Sequence, residues 1–464
     1  MDKHFPKIEP TSASRREFLK RSTLLSVAGA ATPWALNLAA IGDAAAATAT
    51  DYKAMVCVFM YGGNDYANTV VPYDPASYDA YRTLRAPVAL AREALLPLAP
   101  TVPLPGGRQY ALAPRLAGLA PLFAEGHMAV LMNVGSLVQP TTKAQYNARS
   151  VLLPPKLFSH NDQQSYWQAS MAEGAVTGWG GRMGDLFASS NGNATFTCVG
   201  VSGNAVFLSG ETALQYQVSS SGSIGVNGVR SSLFGSTACS AALRNLMTGA
   251  RTQVLENEVA RVNSRSIGAN EAVTAALAGS NVATAFPANS LGDQLKLVAR
   301  LIGARNALGA KRQVFFVSLG GFDNHSALNS THPNLLGTLG DAMAAFCQAT
   351  VELGVSQQVT AFTASDFGRT LVSNSDGSDH GWGSFHFVVG GAVAGRSLVG
   401  TPPAVANNGP DDVGQGRLLP TLAVDQLAGT LAAWFGASAT EVLDVVPNLA
   451  RFTVRDLGFM GGMA

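Results

Sequence analysis

Short apolar runs alternate along this chain with longer stretches of helical period, and that alternation restricts the fold more than any other feature. Six runs stand out, at Ala54–Met60, Met128–Asn133, Phe196–Val201, Val314–Leu319, Val359–Thr363 and His386–Val389. Each is rich in Val, Phe, Ala or Met, the composition of strands buried on both faces of a parallel sheet. Helical patterns fall at about 114–125, 240–263, 291–308, 335–353 and 424–435. The order implies an α/β fold with a mostly parallel central sheet and helices on both faces. Residues 202–236, rich in Ser, Gly and Val, read as an irregular or β-rich insertion. Residues 264–290 read as a mobile connection, and 396–420 as a loop excursion. No internal repeat is visible, and one domain over 47–464 is the simpler reading.

In an open parallel sheet, ligands sit beyond the carboxyl ends of the strands. The residues there follow one pattern. Gly62-Gly63-Asn64-Asp65 follows the first run. Gly320-Gly321-Phe322-Asp323-Asn324-His325 follows the fourth, and Ser365-Asp366-Phe367-Gly368-Arg369-Thr370 the fifth. Asp379-His380-Gly381-Trp382-Gly383 precedes the last. Carboxylates packed together repel unless a cation neutralises them. Asp with His suits zinc, and also manganese or iron. Taken singly, these pieces also read as turns or helix caps. Of the remaining histidines, His127 reads as surface, His332 as loop and His386 as core.

The N-terminus carries Ser14-Arg15-Arg16-Glu17-Phe18-Leu19-Lys20, a complete twin-arginine pattern. A mildly apolar, Ala-rich stretch follows, with small residues at Ala44–Ala47. Residues 1–46 are therefore expected to be an export signal read by the twin-arginine machinery, leaving a periplasmic or secreted protein. Removing their six Lys or Arg and four Asp or Glu from the chain's 31 and 30 leaves 25 basic and 26 acidic residues. No polybasic run remains to neutralise phosphates, so a nucleic-acid partner is not expected. No later stretch is apolar and long enough to span a membrane. Of the four cysteines, Cys57, Cys198 and Cys347 read as buried thiols. Cys239 completes the set, no CxxC occurs, and one disulfide is compatible with an oxidising compartment. The chain has no Gly-x-Ser-x-Gly elbow and no P-loop, and Gly390–Gly395 lacks the dinucleotide spacing.

Together with Phe158-Ser159-His160-Asn161-Asp162-Gln163-Gln164 and Gly178-Trp179-Gly180-Gly181-Arg182, these motifs resemble the alkaline phosphatase and sulfatase superfamily. They resemble more closely a broad, poorly characterised family of twin-arginine-exported bacterial proteins related to the sulfatases. The resemblance covers nearly the whole chain. It implies an alkaline-phosphatase-like fold and metal-dependent hydrolysis of a phosphate or sulfate ester, on a small molecule or an envelope polymer. It implies that Asp65 and Asp366 hold one metal, Asp323 and His325 another, and that His380 closes the set. The family's Asp-His pair is Asp366-Phe367 here, so about one divalent ion is expected, as zinc, manganese or calcium. Ser159 stands where the superfamily nucleophile stands, and is equally readable as a plain N-cap with Asp162 in the first turn; Ser136 is a weaker candidate. The sulfatase Cys/Ser-x-Pro-x-Arg motif is absent, which argues against a formylglycine enzyme. Arg369 or Arg182 is expected to grip the anionic group. The alternative is a non-catalytic envelope protein that keeps a metal to bind a partner or polymer.

Overall fold

The computed structural model describes residues 49–461. The export signal, with Arg15, Arg16 and the expected cleavage site, lies outside the described residues. A ten-stranded sheet forms the centre. Its strands are β1 (Lys53–Met60), β2 (Met128–Gly135), β3 (Cys198–Gly200), β4 (Tyr216–Ser219), β5 (Gly222–Ser223), β6 (Arg312–Leu319), β7 (Val359–Ser365), β8 (Ser384–Gly390), β9 (Ser397–Val399) and β10 (Leu422–Ala423). They lie in the order β9-β2-β8-β7-β1-β6-β3-β4-β5, with β10 also on β2. The central pairs β7-β1, β1-β6 and β6-β3 are parallel.

Both faces are covered, which is why β1 and β7 read as unbroken apolar runs. All of β7 is buried, as is all of β1 beyond its first residue. Alternate side chains of β1 serve different cores. Val56 and Val58 pack toward helices α3 (Ser290–Gly303) and α4 (Leu328–Glu352), through Leu295, Val298, Leu339 and Met343. Met55, Cys57 and Phe59 face the opposite layer, made by α1 (His160–Ala169), α2 (Trp179–Phe187) and α5 (Val424–Phe435). Each such large apolar side chain contributes about 1.5–3 kcal/mol on burial.

Four local features differ from the sequence reading. Strand β8 runs antiparallel to both its neighbours. The chain between β7 and β8 holds a small antiparallel ribbon, Arg369–Ser373 with Ser378–His380, and no crossover helix, so it returns in the opposite direction. The expected helix over 240–263 is two, Thr237–Thr248 and Val254–Ala278, divided after Gly249 takes an extended conformation. The second helix occupies much of 264–290. His332 lies inside α4 and is buried, with Pro333 tolerated in the helix beside it. Cys57, Cys198 and Cys347 are buried free thiols and Cys239 is exposed. Among the described residues no helix is long and apolar enough to cross a membrane.

Candidate metal centre

Strands β7, β1 and β6 end level with one another. Met60 of β1 is opposite Ser365 of β7 and Leu319 of β6. The segments that follow them are therefore brought side by side. Gly62 and Gly63 make this approach possible. Their φ values are 117° and 83°. A Cβ on Gly62 would lie 2.3 Å from the Asp323 nitrogen, and one on Gly63 2.5 Å from the Phe367 ring. Only glycine fits such positions without displacing the loops.

Four side chains meet here: Asp323 and His325 after β6, His380 from the ribbon, and His160 from the first turn of α1. The Nε2 atoms of His325 and His380 are 2.9 Å apart. Asp323 Oδ1 lies 3.2 Å from the first and 3.4 Å from the second. His160 Nε2 lies 3.5 Å from Asp323 Oδ2. Donor atoms around a four-coordinate zinc, with bonds of about 2.0–2.2 Å, are about 3.3 Å from one another. His160, Asp323 and His380 each offer a ligand atom within 4.8 Å of the others.

The outer contacts set the tautomers. His380 Nδ1 faces the carbonyl of Phe158 at 2.8 Å, so it carries a proton and donates. His325 Nδ1 faces Asp379 Oδ1 at 3.0 Å and also donates. In their neutral forms both rings then present Nε2 lone pairs to each other. Two lone pairs at 2.9 Å repel unless a proton or a metal ion stands between them. Burial lowers the pKa of His380 below the ordinary histidine value, which weighs against a proton on that ring. Metal-bound histidines commonly have their other ring nitrogen held in this way.

His160 is oriented from behind. Its Nδ1 is 2.6 Å from Asp366 Oδ2, which also accepts from Gln164 Nε2 at 2.8 Å and from the Gly62 amide at 3.2 Å. The hydrogen bond to Asp366 raises the pKa of His160, and Asp323 adds to it. Its Nε2 is buried and makes no hydrogen bond among the described residues, and neither does Asp366 Oδ1. Phe367, where the superfamily pattern has a histidine, packs 4.9 Å from the His160 ring and 4.7 Å from that of His380. His160 thus reaches Asp366 from a different element. His160 and Asp379 fall inside two of the sequence motifs, and nothing local in the sequence marks either as part of the centre.

Arg369 differs from its expected role. Its side chain is fully buried. Nη1 donates to Asp323 Oδ1 at 2.6 Å and to the Gly62 carbonyl, and Nη2 to the Ser378 carbonyl. It therefore braces the centre, with no open edge for an outside anion. Its guanidinium, with His160 and His325, holds Asp323 ionised below the usual carboxylate range although partial burial opposes that. Three carboxylates, Asp323, Asp366 and Asp379, gather at the centre with the guanidiniums of Arg369 and Arg417, and with neutral histidines a net negative charge remains that suits a cation.

Asp65 also differs. It is buried, with Oδ2 on Arg85 Nη2 at 2.7 Å and on the Ser378 hydroxyl at 2.6 Å. Oδ1 accepts from the Asn68 amide at 2.9 Å as an N-cap. Burial opposes its ionisation, but Arg85 holds its pKa below the usual range. A guanidinium thus stands against Asp65 where a metal ion was expected. Arg182 spends its donors on the carbonyls of Val445, Thr177 and Ala169, away from the centre. Ser136 is buried, between Gln163 and Trp382. Ser159 takes the N-cap position of α1 without a capping hydrogen bond; its hydroxyl donates to Asp162 Oδ2 at 2.8 Å.

No curated protein matches the chain. Similar solved structures include a Bacteroides thetaiotaomicron protein described with the metabolism of multiple glycosaminoglycans, at 10% identity and TM-score 0.32, over 86% of this chain and 74% of that one. A Pseudoalteromonas sulfatase, PsFucS1, is 10% identical with TM-score 0.30, over 89% and 71%. A mutant of the alkaline phosphatase PafA is 12% identical with TM-score 0.24, over 70% and 64%. A family model described as "Protein of unknown function (DUF1501)" matches residues 52–443, and the chain belongs to that family.

Proposed function

We propose that this chain is exported through its twin-arginine signal and, as residues 47–464, hydrolyses a phosphate or sulfate ester with one divalent cation. The observation that carries the reading is the pair of Nε2 atoms 2.9 Å apart, each on a ring whose Nδ1 already donates elsewhere. His160, Asp323, His325 and His380 would hold the ion, with Asp366, Asp379 and the Phe158 carbonyl orienting them. When bound, such an ion polarises an ester oxygen and favours a deprotonated oxygen nucleophile near neutral pH.

Ser159 is the proposed nucleophile. It adjoins Phe158, whose carbonyl fixes His380, and His160, a proposed ligand. Its hydroxyl proton points at Asp162 Oδ2, a buried carboxylate able to take it up. The Asp65–Arg85 pair favours a second reading, a non-catalytic protein with a single metal, because it leaves no second cation site beside the first. A panel of aryl phosphate and sulfate esters, run on the metal-loaded protein, separates the two. The hydrolase reading expects turnover that Ser159→Ala abolishes while metal content stays unchanged. Absence of turnover across the panel by wild-type protein with its metal bound would favour the binding protein.

A further inference from the structure

We infer that Arg417 binds the oxyanion of the substrate, a phosphate or sulfate group, beside the proposed metal centre. The inference rests on the hydrolase reading above and adds the anion-binding group, which Arg369 and Arg182 are not free to supply. The segment that carries Arg417 is built around one buried carboxylate. Asp412 accepts the backbone amides of Asn408 and Gly414 at 2.7 Å and of Gly416 at 3.0 Å. Gly414, Gln415 and Gly416 all have positive φ, so the chain turns tightly just before the arginine. The Arg417 amide then bonds back to the Gly414 carbonyl at 3.2 Å, and its own carbonyl accepts from Val413 at 3.0 Å.

The side chain is held at two points. Nε donates to the backbone carbonyl of His380 at 2.9 Å. The guanidinium carbon lies 4.4 Å from the centre of the Phe158 ring. Phe158 and His380 are also the pair whose Nδ1–H···O=C bond aims His380 at the centre. Phe158 adopts φ 73°, a conformation uncommon for an aromatic residue and of a kind found where function requires it. Ser159 follows it directly. A half-buried guanidinium fixed through its Nε and one face leaves both Nη groups to donate elsewhere. Among the described residues neither Nη makes a hydrogen bond or ion pair. Arg85, Arg182 and Arg369, by contrast, give their Nη groups to protein oxygens. Two parallel N–H donors in a fixed plane match two oxygens of a tetrahedral oxyanion, and Arg is suited to that task where Lys is not.

Inorganic phosphate and inorganic sulfate are the probes, titrated by calorimetry into the zinc-loaded protein. Wild type, Arg417→Met and Arg417→Lys are compared, with zinc content and thermal midpoint measured on each. Binding by wild type, weakened roughly 10- to 100-fold in Arg417→Met with zinc retained, is the expected result. Arg417→Lys should fall between the two, and the better-bound anion identifies the ester class. Equal affinity in wild type and Arg417→Met, or binding of neither anion by wild type, overturns the assignment. So does loss of zinc together with the anion in Arg417→Met, since Arg417 would then only support His380. A wild-type chain that holds no zinc contradicts the metal reading, and that result is visible separately from the anion titration.

Discussion

Arg85 and Asp65 show how charge at one residue decides what a neighbour can do. Arg85 is wholly buried and makes four hydrogen bonds: Nε reaches Asn68, Nη1 the carbonyls of Thr370 and Leu371, and Nη2 Asp65. These bonds clamp the start of the Arg369–Ser373 strand of the ribbon to the first loop. Arg85→Met should cost about 3–5 kcal/mol, because it leaves the Asp65 charge buried and unpaired. Adding Asp65→Asn should recover part of that loss. Urea unfolding of the single and double variants measures both. A single variant as stable as wild type would mean the pair does not brace the ribbon. The same residues show what the sequence made legible. Asp323 and His325 lie just beyond the end of one apolar run and His380 just ahead of another, and alternation places such runs without knowledge of the packing. Arg85 is the C-cap of the helix Pro75–Leu84, some twenty residues past Asp65, and no local pattern announces that it will neutralise that carboxylate. His160 was equally hidden, because its partner Asp366 is more than two hundred residues away and on a different element.

Elements bury two histidines that the centre does not use. His386 in β8 sits against Trp167, with Nδ1 near the Thr363 hydroxyl. His332 in α4 faces the Asn64 side chain at 3.0 Å. Burial lowers their pKa values to about 3 and about 4, against 6.5 for a free histidine. Both are therefore neutral in the fold. Above pH 6.5 neither the folded nor the unfolded chain binds these protons, and the stability they permit is complete. As pH falls below 6.5 the unfolded chain takes up two protons that the folded one refuses, so stability falls. The loss continues to about pH 4 for His332 and about pH 3 for His386. Each contributes up to about a tenfold change in the folding equilibrium per pH unit. Denaturation midpoints of chelator-treated protein at pH 7 and pH 5 should show the decline, and His386→Gln should make it shallower. An unchanged slope in that variant would contradict the assignment. The elements themselves were legible wherever period and composition agreed, as in β1, β6, β7 and α5. They were less so where a single residue broke the pattern, as Gly249 does between two helices, or where tertiary packing kept a helix going past Pro333.

For the whole molecule, the export signal and the sheet-edge centre make separate claims. Replacing Arg15 and Arg16 together with Lys should leave unprocessed precursor in the cytoplasm; normal amounts of processed periplasmic protein from that variant would refute the export proposal. The parallel core reads directly from the apolar runs of β1, β3, β6 and β7, but the way the chain turns back through the ribbon into antiparallel β8 does not, because strand direction depends on the connection. That reversal presents His380 to His325 and joins residues from three separate segments into one centre. The account stands or falls on whether this centre holds a cation. Elemental analysis of the purified natural protein, beside a His325→Ala/His380→Ala variant of equal helical content, tests it most directly. About one divalent ion per chain is expected in the wild type, with a large loss in the variant; a folded wild type with no stoichiometric metal, and no gain in stability from added zinc or manganese, would contradict a metal centre here.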